Sequence, residues 1–164
     1  MLKRIDTDLV IREGGAVGVY PGQIHEGVAW WLGACLVVTQ EADAVVVAHN
    51  GHAVVFEFAS RLCRGAINAQ HFACTVYALG VQTRNQLLDV RKDCAAWLEA
   101  HEDKGATVVR IQLFDRHGVL LDESTGLAEI RRLIGEDRVP LPVNDRARGR
   151  IVSRQDPLAE GVRR

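Results

Sequence analysis

The feature that most constrains this chain is an alternation, in which stretches with apolar residues at helical spacing give way to short, unbroken apolar runs. Ile24, Val28, Trp31, Leu32, Cys35 and Leu36 fall on one face of a helix entered after Pro21-Gly22. Ala44-Val45-Val46-Val47-Ala48 then reads as a strand buried on both faces, the pattern of a parallel sheet. Val55, Phe58, Ala59, Leu62, Ala66 and Ala69 mark a second helix. The run Ala73 to Ala78 predicts a second strand, ended by Gly80, and Leu87, Val90, Cys94, Trp97, Leu98 and His101 predict a third helix. A strand over Thr107 to Phe114 then turns back through Asp115-Arg116-His117-Gly118 as a hairpin onto Val119-Leu120-Leu121. A short helix follows, N-capped by Thr125 and continuing through Ile134. This order predicts an α/β fold: a three-layer α/β/α domain with a mainly parallel mixed sheet and right-handed crossovers.

At 164 residues, 48% of them apolar, the chain fits one domain over 1–164. The stretch from about 140 to 164 carries Pro140, Pro142, Pro157 and several arginines, and is expected to be a partly ordered tail. Charge is nearly balanced, with 20 basic against 21 acidic residues, so no global field favours nucleic acid or an anionic membrane as partner. No apolar run approaches the roughly 20 residues of a membrane span, and a cytoplasmic location is the expectation. The four cysteines have no C-x-x-C spacing and read as reduced core thiols.

Generic chemistry signals are sparse. Neither G-x-G-x-x-G nor G-x-x-x-x-G-K-[ST] occurs, and none of the three serines stands in a hydrolase context. His49 and His52 lie at the C-terminal end of the first predicted central strand, where open α/β sheets place ligands. As a metal pair, His49-x-x-His52 lacks two further ligands, for which Asp43 and His25 are only guesses. A Cys63–His71 nucleophile has no orienting carboxylate. No metal and no cofactor follows from these residues.

Several strings, taken in order, resemble the first domain of the phosphomannomutase/phosphoglucomutase family, the α-D-phosphohexomutases. Ile111-Gln112-Leu113-Phe114-Asp115, followed by Asp122-Glu123-Ser124-Thr125-Gly126-Leu127-Ala128-Glu129-Ile130-Arg131, looks like the strand after the family's active-site loop and the helix beyond it. Pro21 to Ala29 resembles the entry to the first helix, Asp43 to Val47 the next strand, and Gly149-Arg150-Ile151-Val152-Ser153 the segment closing the domain. The resemblance spans about Gly15 to Arg164. It implies an intramolecular phosphotransferase, an isomerase of carbohydrate metabolism, in which a serine in a T-x-S-H-N loop carries the phosphoryl group and magnesium holds the charge.

Three departures weaken that implication. Registering the chain backwards from Asp115 puts His101-Glu102-Asp103-Lys104-Gly105 at the loop, with Glu102 at the serine position. The family's strand before this loop corresponds to Ala95 to Ala100, whose period here continues the helix from Leu87, and the G-R-D-x-R string becomes Ala48-His49-Asn50-Gly51-His52. The Y-D-I-R-G and magnesium-binding D-G-D-x-D-R strings have no clear counterpart, and nothing in these 164 residues corresponds to the later sugar-binding domains. The resemblance therefore implies a retained fold without the reaction and without magnesium, and Glu102, His49, Asn50 and His52 are the ligand positions it leaves. Such a domain would bind a hexose phosphate or a protein partner. Two alternatives are part of an active mutase completed by another subunit or by a full-length mutase, and a structural homodimer using the adjacent Trp30 and Trp31.

Overall fold

The computed structural model describes residues 4–69, 73–90, 93–140 and 149–153. Its elements run α1 (Thr7–Val10), β1 (Gly15–Tyr20), α2 (Glu26–Gln40), β2 (Ala44–His49), α3 (Val55–Ile67), β3 (Thr75–Val81) and α4 (Arg84–Val90). Next come β4 (Cys94–Asp103), β5 (Ala106–Phe114), a wide helical turn at Glu123–Leu127, α5 (Ala128–Gly135) and β6 (Arg150–Ser153). One six-stranded sheet has the order β1-β5-β4-β2-β3-β6. β2 pairs in parallel with β3 and β4, and β3 with β6, whereas β5 runs antiparallel to both β4 and β1. The sheet is mixed and mainly parallel, as the alternation predicts.

Strand pairing splits the apolar residues between two faces. Val45, Val47, Leu98, Ile111 and Leu113 pack with α2, α3 and α5 in the larger core. Val46, Ala48, Leu79, Ala95, Trp97 and Phe114 face the other way, where Leu87 of α4 covers them. One helical layer is thus thick, and the other is α4 alone among the described residues. The chain steps from β2 outward to β3 through α3, then back past β2 to β4 through α4. Reversing direction while switching faces keeps one crossover hand. The helices of the thick layer meet closely at Gly33 and Gly65, where a Cβ would lie 2.2 Å from the Leu62 carbonyl oxygen and 1.9 Å from that of Trp30.

The third predicted helix is corrected by the structure. Among the described residues of that stretch Arg84–Val90 is helical, and Cys94–Asp103 is a strand. Cys94 to Leu98 are all buried, because β4 lies between β2 and β5 with side chains covered on both faces, so no alternation distinguishes it from a buried helix. This agrees with the strand that the family resemblance implies at Ala95 to Ala100. Gly80 lies inside β3 rather than ending it, at a positive φ of 75° where the register with β2 shifts by one residue. The hairpin expected after β5 reduces to one bridge, Phe114 to Leu120. Thr125 is not the N-cap before α5. Asp122 caps the wide turn at Glu123–Leu127 that leads into α5, and Thr125 closes a capping box with it, its hydroxyl accepting from the Asp122 N–H at 2.7 Å. Trp30 and Trp31 both rest half-buried against the core. Of the stretch from 140 onward, Pro140 and 149–153 are described, and β6 falls in it; 141–148, 154–164 and His71 lie outside the described residues.

Candidate functional site

The C-terminal ends of β2 and β4 lie side by side, and from them the chain parts: β2 continues toward β3 through α3, β4 turns back into β5. Sheets of this kind place ligands over such a divergence. The sequence 49–54 folds here into three successive side-chain caps. His49 Nδ1 accepts from the Gly51 N–H at 3.1 Å, Asn50 Oδ1 from His52 N–H at 3.2 Å, and His52 Nδ1 from Val54 N–H at 3.1 Å. Asn50 also joins the turn to β4, its amide donating to the Ala100 carbonyl at 2.9 Å and its backbone N–H to Leu98 at 3.1 Å.

Glu102 stands on β4 opposite Thr107 of β5. Its carboxylate accepts from the Thr107 hydroxyl at 2.8 Å and from His52 Nε2 at 3.0 Å. These two bonds, Thr107 first, hold the Glu102 carboxyl below the usual carboxylate range although its side chain is 61% exposed. His49, by contrast, is only 5% exposed, with its ring edge-on to Phe56 at 4.6 Å, and burial lowers its pKa. Two large apolar side chains flank it: Phe56, 52% exposed, and Val81, its register partner on β3, 57% exposed.

The structure therefore brings Glu102, Asn50 and His52 into one hydrogen-bonded group, with His49 buried beneath the same turn. Sequence reasoning missed Thr107 and Phe56. The pairing of Thr107 with Glu102 follows once β4 and β5 are seen as a hairpin, since the two sit equally far from its tip. That tip is Lys104-Gly105, with φ of 52° and 81°, the two-residue reversal whose positive φ values suit the twist of a hairpin. His101 to Asp103 are accordingly strand, not loop.

The chemistry of the group is limited. His52 and Thr107 both donate to one carboxylate, and the remaining His52 nitrogen is occupied by Val54, so neither His52 nitrogen is left to activate a nucleophile. The residues do not fit magnesium either: the group offers a single carboxylate, whose Oε2 already accepts from Thr107 and His52, and no described His, Cys, Asp or Glu residues converge in threes. A concavity of about 600 Å³ lies at the other end of the sheet between Val38, Thr39, Ser124, Leu133 and Pro140. Its two carboxylates, Glu123 and Glu129, are paired with Arg131 and Arg132.

No protein-family model and no curated protein matches the sequence. Among solved structures, a phosphoglucomutase/phosphomannomutase family protein from Burkholderia thailandensis matches with a TM-score of 0.73 and 18% identity, over 96% of this chain and 35% of that one. The fold is that of a phosphohexomutase domain. The chain spans about a third of that protein's length. No described helix is long and apolar enough to cross a membrane.

Proposed function

We propose that the chain is a binding domain built on the phosphohexomutase fold that does not carry a phosphoryl group. The observation behind this reading is Glu102. At the position where the resemblance implies a phosphoserine, a carboxylate sits on a paired strand, two residues before a two-residue reversal, with its oxygens accepting from Thr107 and His52. A phosphoserine cycle needs a hydroxyl that can attack, then a stable ester that can be discharged; an acyl phosphate on a carboxylate is too labile for that role.

Between the two ligand classes, a protein partner has more support than a hexose phosphate. A phosphate needs donors and positive charge, and Glu102 presents negative charge at this edge. The exposed Phe56 and Val81 on either side of His49 offer apolar surface of the kind protein contacts bury. The expected cytoplasmic location belongs to this reading.

The test is calorimetric titration with glucose 1-phosphate, mannose 1-phosphate and the corresponding bisphosphates, with and without magnesium, alongside a mutase assay. No saturable binding and no turnover is the expected result. Saturable binding without turnover would move the ligand to a hexose phosphate, and turnover by the isolated chain would overturn the reading. A second reading rests on the chain matching 35% of the longer protein: it completes an active mutase with another subunit. Turnover that appears only when a separate mutase fragment is added would favour that reading.

A further inference from the structure

The turn between β2 and α3 is closed by side chains rather than by backbone pairing alone, and two of its three local caps are imidazoles. His49 holds the Gly51 N–H and His52 holds the Val54 N–H, each through Nδ1 at 3.1 Å. A ring that accepts at Nδ1 carries its proton at Nε2. A second proton makes Nδ1 a donor, which faces the backbone N–H it had accepted from. Asn50 makes the third cap and does not titrate. We propose that this turn is a proton-sensitive clamp, closed by the neutral rings of His49 and His52 and loosened, together with the first turn of α3, when they are protonated.

The surroundings fix the direction. Around His49 stand Phe56 from α3, Val81 from β3 and Leu98 from β4, all apolar, and burial alone lowers its pKa. The ionisable groups near the turn are Glu102 and its neighbour His101 on β4, Asp103 and Lys104 at the hairpin tip, and Glu57 on α3, which is paired with Arg61 at 2.7 Å. Only Glu102 bonds an imidazole of the turn, and protonating His52 strengthens that bond while breaking the one to Val54. His49 has no such compensation among the described residues. Because its folded pKa is depressed, its hold is complete above about pH 6.5, the unperturbed value, and is lost as pH falls through the folded value. The phosphohexomutase-like reading is not needed for any of this.

The test is amide hydrogen exchange by NMR on the full chain in steps from about pH 7.5 down to about pH 4, corrected for intrinsic exchange and for global unfolding. Protection of Gly51 should fall roughly fivefold or more in the wild type as pH passes through the depressed His49 value, the loss of one hydrogen bond, and Val54 at the start of α3 should follow it. The double variant H49N/H52N keeps acceptors at the same offset without titrating, as Asn50 already does, and its protection should hold. An equal loss in both proteins, or none in the wild type, would overturn the proposal. Should the variant not fold, the ring tautomers of the wild type decide: Nε2–H at both histidines near neutrality is required, and Nδ1–H at either contradicts the clamp.

Discussion

Gly65 is the position where helix propensity and packing give opposite answers. It lies in the last turn of α3, where alanine should stabilise an isolated helix by at most about 1 kcal/mol. Yet a Cβ there would sit 1.9 Å from the Trp30 carbonyl oxygen of α2, a backbone atom that cannot rotate away. A carbon and a carbonyl oxygen approach to about 3.3 Å, so Gly65→Ala must part the two helices by more than about 1 Å. That opens the layer in which Leu32, Phe58 and Leu62 are fully buried. Overpacking against rigid neighbours costs about 3 kcal/mol at the upper end of its usual range, which leaves a net loss of about 2 kcal/mol after the propensity gain. Urea unfolding followed by far-UV circular dichroism should put the midpoint about 1 M lower, with an unchanged slope. Gly33→Ala, whose Cβ would meet the Leu62 oxygen at 2.2 Å, should act alike, and the double variant should lose less than the sum, because one displacement relieves both clashes. A Gly65→Ala protein as stable as the wild type, or more so, would refute the close approach of α2 and α3.

Three further outcomes follow from the structure. Arg131 donates to the Ile11 carbonyl from Nε at 3.0 Å and from Nη2 at 2.8 Å while pairing with Glu123, so Arg131→Met should cost about 2 kcal/mol in chemical denaturation. Burial pushes all four cysteine thiols up to about 12, so a thiol reagent near neutral pH should label none in the folded protein and all four in denaturant. The Glu102 carboxylate, held below its usual range by Thr107 and His52, contributes stability above its unfolded pKa that is lost as pH falls through the lower folded one. Glu102→Gln should therefore flatten the melting temperature against pH below about pH 4, and an unchanged acid profile would contradict the assignment.

Much of this architecture is written in local pattern. The valines of β2 announce a doubly buried strand, and Phe58, Leu62 and Ala66 repeat at helical spacing because α3 buries one side only. β4 was not legible in the same way. Its Ala95, Ala96, Trp97 and Leu98 carry no alternation, since both faces are covered, and with Leu87 and Val90 before them they imitate a continuing helical stripe. The segment's place before β5 in the family resemblance was the better guide. The site was legible residue by residue but not as a group. His49, Asn50 and His52 declare themselves by their place after a buried strand, whereas the bond from His52 to Glu102 depends on β2 and β4 being neighbours although 50 residues separate the two side chains. Thr107 becomes visible only once the β4–β5 hairpin fixes its register.

Intact-mass spectrometry of the purified chain after incubation with glucose 1,6-bisphosphate and magnesium addresses the central claim most directly, since it detects a phosphoryl carrier without needing the rest of a mutase. The account predicts an unmodified mass, because Glu102, bonded to Thr107 and His52, stands where the resemblance implies the phosphoryl-carrying serine. Stoichiometric gain of one phosphoryl group, on any residue of the chain, would contradict it.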